Sequence, residues 1–325
     1  MKAYSSPPYG SPSILSIKNV PKPICGDDDL LVEVRAIGIN RADCLQRSGN
    51  YPPPKGANNI LGLELCGHVI NVGKNVKGYE VGDHVFGLVA SGAYAEYALI
   101  DYRLAVLVPK NWSSIKAAGV IEVFCTANES IIELGKLKKN ETILVHAGAS
   151  GVGTTVIQMA KFIGAKVIFT SSNAEKIDKV LELGADLAIN YKTHNFVEEV
   201  FRFTNGKGVD VIEDFIGADY LEKNLTCLNH TGRLILVGLM GVEDCKFNPA
   251  IMLRKRLKIF GFTLRSQSVL NKMKIIKRFK EKWLPLLVED KLLLPIHQVY
   301  SFNDAVDAHF EMESNKNIGK IILKL

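Results

Sequence analysis

ETILVHAGASGVGTTVIQMAKFIGAKVIFTSS, residues 141–172, decides the fold. Residues 143–146 form an apolar run short enough for a buried strand. A turn carrying Gly148, Ser150, Gly151, Val152 and Gly153 follows it, then a helix-length segment to 163 and a second apolar run at 166–170. Strand, glycine-rich turn, helix and parallel strand make half of a nucleotide-binding unit. The glycines are expected to let the backbone turn sharply and approach a diphosphate, whose charge is met by the unpaired N–H groups that open the helix. The spacing is GxxGxG rather than the commoner GxGxxG, so the flanking strand and helix carry the reading, not the triplet.

Beyond this stretch strand and helix signals alternate. Helices are expected at 174–183, 196–204 and 220–228, and strands at 187–189, 209–213, 233–237 and 257–263. That rhythm predicts an α/β fold with a doubly wound, six-stranded parallel sheet. Residues 1–110 are strand and turn material, with strands expected at 30–37, 67–72 and 93–100 and a glycine-punctuated turn and strand at 76–86, which gives a compact, partly barrel-like β domain. A helix at 121–134 is expected to cross to the second domain. The apolar run 320–325 needs a sheet to join and is expected to return to the first. The chain thus divides into a discontinuous β-rich domain, 1–120 with 290–325, and a dinucleotide-binding domain, 121–289.

A length of 325 residues suits two domains. Cys25, Cys44, Cys66, Cys125, Cys227 and Cys245 are scattered without a CxxC pair, which points to reduced thiols and a cytoplasmic protein. No signal sequence or membrane-length apolar run is visible. The net charge of +6 is concentrated at residues 254–258 and 272–282. In the second cluster Val269, Met273, Ile276, Phe279 and Trp283 mark the buried stripe of one helix, so the lysines read as its solvated face. No nucleic-acid motif accompanies them, and no nucleic-acid partner is expected. His68 and His84 beside glycine turns read as structural residues.

NAD-binding units usually place an acid after the second strand, where it holds the adenosine ribose. Here the strand runs into Ser171-Ser172-Asn173, with Lys176 one turn into the next helix and Tyr191 just after the following strand. No carboxylate repels a 2′-phosphate, a lysine is in place to bond it, and NADPH is the expected cofactor. The rival reading has Ser171 and Ser172 capping that helix and Lys176 facing solvent. Gly217 and the run Gly238-Leu239-Met240-Gly241 follow the ends of parallel strands, where the backbone can pass close to the nicotinamide half. Purely structural turns are the alternative at both places.

Ile39–Pro54 (INRADCLQRSGNYPPP), Asn59–Val69 (NILGLELCGHV), Val81–Val85 (VGDHV), His146–Thr154 (HAGASGVGT), Ile189–Lys192 (INYK), Gly238–Gly241 (GLMG), Leu264–Ser266 (LRS) and Asn315–Leu323 (NKNIGKIIL) occur in this order. Together they resemble the medium-chain dehydrogenase/reductase superfamily, and within it the zinc-independent quinone oxidoreductases, most like their p53-inducible branch. The resemblance spans essentially the whole chain. It implies a GroES-like β-rich catalytic domain beside a Rossmann domain. Zinc alcohol dehydrogenases of this fold have a cysteine where this chain has Asn40 and a histidine where it has Leu63, and Cys125 is the sole cysteine between Cys66 and Cys227. Neither a catalytic nor a structural zinc site is therefore expected.

The resemblance further implies a reductase that passes reducing equivalents from nicotinamide C4 to a quinone in the interdomain cleft, without a metal. It points to Asn40, Asp43 and Tyr51 as the polar residues lining that cleft. Tyr51 is expected to bind or orient the acceptor, and Asp43 is expected to orient Asn40 or Arg41. The alternative is that Asn40 and Asp43 only cap the helix starting near Ala42. Where some relatives carry a second tyrosine this chain has Leu45, which suggests a more apolar pocket. Thr126, Leu264, Arg265 and Asn317 occupy family positions near the cofactor, with Arg265 reaching either its charged half or the subunit boundary. Strand 257–263 is expected to pair with its counterpart in a homodimer. Two other functions stand beside the first: reduction of enones and 2-alkenals with NADPH, and a non-catalytic NADPH-binding sensor or RNA- or protein-binding protein.

Overall fold

The computed structural model describes residues 1–4, 9–241 and 247–325, and Cys245 lies outside the described residues. The chain divides into two compact units, Met1–Val123 with Leu264–Leu325, and Phe124–Thr263.

In the contiguous unit the parallel strands β1 (Thr142–Val145), β2 (Lys166–Ser171), β3 (Leu187–Asn190), β4 (Val209–Asp214), β5 (Leu228–Leu236) and β6 (Lys258–Gly261) form one sheet. Their order is β3-β2-β1-β4-β5-β6. It reverses direction between β1 and β4, and ligands of such sheets bind beyond the C-terminal strand ends at that point. The helices α1 (Gly151–Ile163), α2 (Ala174–Leu181), α3 (Phe196–Phe203) and α4 (Leu221–Cys227) make the crossovers. Every residue of β1 is buried, as a central strand covered on both faces requires. Leu144, Ile168, Ile212 and Leu234 of the strands meet Phe196, Val200 and Leu225 of the helices. Each such side chain withdrawn from water contributes about 1.5–3 kcal/mol. β6, expected over 257–263, is shorter, half-exposed and at the sheet edge.

The other unit is built on the long strand Asp29–Ile39, which pairs antiparallel with Glu64–Val72, Tyr97–Asp101 and Lys320–Lys324. Lys320–Lys324 also pairs in parallel with Ile296–Ser301, and the sheet continues from Glu64–Val72 through His84–Leu88 to Ala105–Leu107. The C-terminal strand therefore does join the first sheet. A side chain at Gly38 would place its Cβ 2.4 Å from Glu64 Oε1 and 2.5 Å from the Ala118 carbonyl oxygen, so only glycine fits at this crossing.

Four expectations need correction. Residues 264–289 belong to the β-rich unit, not to the dinucleotide-binding one. Their apolar face, including Ile275, Ile276, Phe279, Trp283 and Leu287, is buried, with Phe279 edge-on to Phe86 at 6.4 Å. An amphipathic pattern reveals that a face is buried but not what it is buried against. This segment is also not one regular helix. An α-helix over Val269–Arg278 gives way to a π-helical turn at Phe279–Trp283 and then to Leu284–Val288. Val269, placed in the buried stripe, is exposed. Likewise the helix expected over 121–134 is α-helical only over Ile121–Ala127 and π-helical over Asn128–Leu134.

Candidate functional site

The glycine turn lies at the C-terminal end of β1. Its left-handed residue is Ala147, at φ 47°, rather than any of its glycines. The glycines instead provide clearance. A Cβ on Gly148 would lie 2.6 Å from the Phe169 ring, and one on Gly153 would lie 2.6 Å from the Ala147 carbonyl oxygen. Ser150 caps α1, its Oγ accepting the Gly153 N–H at 3.0 Å. The amides of Gly151 and Val152 thus open a 13-residue helix at the sheet's ligand-binding edge, where they suit a phosphate.

Beside it, β2 ends at Ser171, whose buried Oγ has no hydrogen-bond partner among the described residues. The serines do not cap α2. Asn173 does, its Oδ1 accepting the Lys176 N–H at 2.9 Å. Lys176 is only 7% exposed, so it is not the solvent-facing residue of the rival reading. Ser172 is half-buried, and the Tyr191 N–H donates to the Ser171 carbonyl at 3.2 Å, which brings Tyr191 to the same strand end.

A buried polar chain ties these strand ends together. His146 lies fully inside, with Nδ1 3.1 Å from Thr170 Oγ1 and Nε2 2.8 Å from Asn224 Oδ1. Asn224 donates through Nδ2 to Asp214 at 3.0 Å, so its oxygen faces His146, which must then carry its proton on Nε2. Burial holds His146 below the usual histidine range. Asp214, pushed up by burial, accepts the N–H groups of Ile216 at 2.7 Å and Gly217 at 3.2 Å. Gly217 sits at φ 82°, ψ −133°, a conformation open to glycine, and a Cβ there would lie 2.4 Å from Leu239. The Met240 N–H donates to the Phe215 carbonyl and Gly241 N–H to that of Ile216, which ties the 214–217 and 237–241 turns together. Gly238 approaches Phe215 closely, while Leu239 and Met240 are exposed. Thr126 is buried on the helix Ile121–Ala127.

In the β-rich unit the expected polar lip is for the most part an interior network. Asp43 is fully buried on the helix Arg41–Ser48. Its Oδ2 accepts the Asn40 N–H at 2.8 Å and the Tyr94 hydroxyl at 3.4 Å, and burial pushes its carboxyl up to about 6. The reading in which it orients Asn40 and caps the helix fits this geometry. Asn40 spends its side-chain amide internally. Nδ2 donates to the Gly38 carbonyl at 3.2 Å and to Glu64 Oε1 at 3.0 Å, and Oδ1 accepts from Lys320 Nζ at 2.7 Å. Tyr51 is half-buried on the loop after that helix. Arg265, expected near the cofactor or the subunit boundary, is engaged within its own unit. It is 5% exposed and bonds Gln46, Ala90 and Tyr51 of its own unit. Leu264 beside it is buried, and so is Asn317, whose Nδ2 donates to the Gly319 carbonyl at 2.9 Å.

Sequence reasoning missed the residues that hold this network. Glu64 and Lys320 pair at 2.7 Å, Tyr94 meets His309 Nε2 at 3.1 Å, and His309 Nδ1 meets Cys44 at 3.5 Å. A lone lysine opening the apolar strand KIILK, and a lone glutamate opening ELCGHV, were the available signals. His309, held down to about 3 by burial, offered none. His68 and His84 stack at 4.5 Å, with His84 Nε2 2.9 Å from Ser114 Oγ. Among the described residues no three His, Cys, Asp or Glu side chains converge as a metal-ligand set.

The geometry agrees with what the chain is similar to. Residues 26–110 match the family described as alcohol dehydrogenase GroES-like domain, and residues 151–279 match the family described as zinc-binding dehydrogenase. A human quinone oxidoreductase is 30% identical over 262 residues, 80% of this chain and 79% of that protein. The crystal structure of Escherichia coli quinone oxidoreductase complexed with NADPH superposes with a TM-score of 0.93 at 30% identity, covering 100% of both chains. The enoyl reductase CurK gives 0.88 at 26% identity, over 99% of this chain and 98% of that one. With both halves of the sequence matched and a full-length likeness at this identity, the chain belongs to the quinone oxidoreductases of the medium-chain dehydrogenase/reductase superfamily.

Proposed function

We propose that this protein is an NADPH-dependent quinone reductase. The observation that carries the cofactor choice is the end of β2, where a buried Ser171 hydroxyl with no hydrogen-bond partner among the described residues lies on the same strand end that leads to the buried Lys176. A hydroxyl withdrawn from water and left unbonded costs about 1–3 kcal/mol, which a ligand oxygen would offset. With Ser172 and Tyr191, these residues would hold a 2′-phosphate. Gly148, Gly151, Val152 and Gly153 would receive the diphosphate, with Ser150 holding the turn in shape. Gly217 and Gly238–Met240 would let the backbone approach the nicotinamide half, with Thr126 and Asn317 beside it. Bound NADPH supplies the hydride that reduces the acceptor.

The chain's own part in the chemistry is binding and orientation. Tyr51 would bind the acceptor, and its hydroxyl would donate to the acceptor oxygen as negative charge develops there. Asp43 and Asn40 act at one remove, by fixing the start of the helix that leads to Tyr51. A quinone stabilises incoming charge by its own electronics and needs no more than this. The half-exposed edge strand β6 would pair with its twin in a homodimer, and sedimentation of a variant with proline at Ile259 tests that pairing.

The likeness to an enoyl reductase favours a second reading, an enone or 2-alkenal reductase with the same cofactor. NADPH oxidation with ortho-quinones, para-quinones and a series of enones separates the two. Quinone turnover well above enone turnover is expected, and enone rates equal to or above the quinone rates would reverse the assignment.

A further inference from the structure

We infer that Arg265 is a positioning residue that fixes Tyr51, so that acceptor recognition is set by a side chain from a distant part of the sequence. This rests on the reading of Tyr51 as the acceptor-binding residue. The Tyr51 loop is largely exposed beyond its entry. It follows Gly49, which is at φ 89°, and Pro52, Pro54, Lys55 and Gly56 are exposed. Its entry is tied by the amides of Asn50 and Tyr51, which donate to the Leu45 carbonyl at 2.8 and 3.2 Å.

Arg265 supplies the opposite clamp. Its Nη1 donates to the Tyr51 carbonyl at 3.4 Å, its Nε to the Ala90 carbonyl at 2.8 Å, and its Nη2 to Gln46 Oε1 at 2.6 Å. The guanidinium carbon lies 5.3 Å from the Tyr51 ring centroid, within range of a cation–π contact. One planar fork thus grips the backbone and the ring of the same tyrosine, together with the end of its helix and a neighbouring loop. The fork is itself anchored, because Lys272, 6% exposed, donates through Nζ to the Arg265 carbonyl at 2.8 Å. A lysine at 265 would carry the charge without the fork and could not reproduce this set of bonds.

The test measures three things on the purified full chain: the dissociation constant of NADPH, KM and kcat for a para-quinone, and the rate of tryptic cleavage after Lys55, identified by mass. In Arg265→Met, kcat/KM for the quinone should fall about tenfold and cleavage at Lys55 should quicken about tenfold, with NADPH affinity held within about twofold. Arg265→Lys should recover only part of both effects. Gln46→Leu, which removes one of the three bonds, should move both in the same direction by less, and it keeps the test available if Arg265→Met fails to fold. Weakened NADPH binding with unchanged cleavage at Lys55 would overturn the inference and return Arg265 to the cofactor. Tyr51→Phe measured in parallel separates the two ideas. If its kcat/KM for the quinone is unchanged, the role of Tyr51 falls, while the cleavage rates still report whether Arg265 holds the loop.

Discussion

Lys320 and Glu64, 256 positions apart in sequence, meet at 2.7 Å with side chains only 2% and 0% exposed. Each is fully engaged. Lys320 Nζ also bonds the Ile39 carbonyl at 2.8 Å and Asn40 Oδ1 at 2.7 Å, and Glu64 Oε2 accepts the Glu122 N–H at 3.0 Å. Lys320→Met leaves a carboxylate buried without its counter-charge and should destabilise the β-rich unit by about 3–5 kcal/mol. With Glu64→Gln already in place the same change should cost less, and the difference, read from urea midpoints of the four proteins, measures the coupling.

At the end of β2 the single variants should separate cofactor choice from folding. Ser171→Ala removes a hydroxyl that has no partner among the described residues, so the melting temperature of the free protein should hold or rise while the preference for NADPH over NADH falls. Lys176→Ala should reduce that preference by about 10- to 100-fold, the loss of one charge-assisted bond. An unchanged ratio of the two dissociation constants in both variants would refute the phosphate site.

Asn224→Leu should act differently. It removes the acceptor of His146 and a donor to Asp214, both buried, and should cost about 2–4 kcal/mol of stability. Because Asp214 holds the Gly217 turn, NADPH and NADH should both bind more weakly, by a similar factor. Calorimetric titration with each cofactor checks this. A selective loss of NADPH would contradict the coupling drawn through the buried chain.

Glu213 governs a pH effect on stability. It is buried at the centre of the sheet, with Oε1 accepting from Ser130 Oγ at 3.0 Å, and burial pushes its carboxyl up to about 8 from an ordinary 4.5. Across that interval the unfolded chain has lost the proton and the folded chain keeps it. Stability should therefore fall as pH rises from about 5 to about 8. Glu213→Gln preserves the neutral shape and an acceptor for Ser130, and should remove the Glu213 share of the slope, leaving that of Glu122, whose carboxyl burial also pushes up to about 8, with a gain of roughly 3–5 kcal/mol at the upper end relative to wild type. Urea midpoints across the pH range provide the measurement.

The parallel sheet was legible because its signal is local. β1 is buried at every position and apolar from Ile143 to Val145, and each of its flanking crossover helices lies within a few residues of its strands. The residues of the proposed phosphate site are close in sequence for the same reason, since Ser171, Ser172 and Lys176 follow one strand. What escaped depended on distant partners. Nothing around Asp43 signals that Tyr94 covers it, and nothing around Arg265 signals that it bonds Gln46 and Tyr51. The turn also misled. Glycines were read as the source of its tight bend, whereas Ala147 takes the strained conformation and Gly148 and Gly153 make room for Phe169 and the backbone.

The strand Lys320–Lys324 sits between Asp29–Ile39 and Ile296–Ser301, so one of the inner strands of its sheet is made after all the other strands of that sheet. On the ribosome, Phe124–Thr263 can complete its own sheet while the earlier residues still wait for a neighbour that has not been synthesised. During that interval Glu64 lacks its cation and the flank of Asp29–Ile39 is uncovered. A chaperone that shields nascent sheet edges would therefore engage the N-terminal segment longest, and release should coincide with arrival of the last strand.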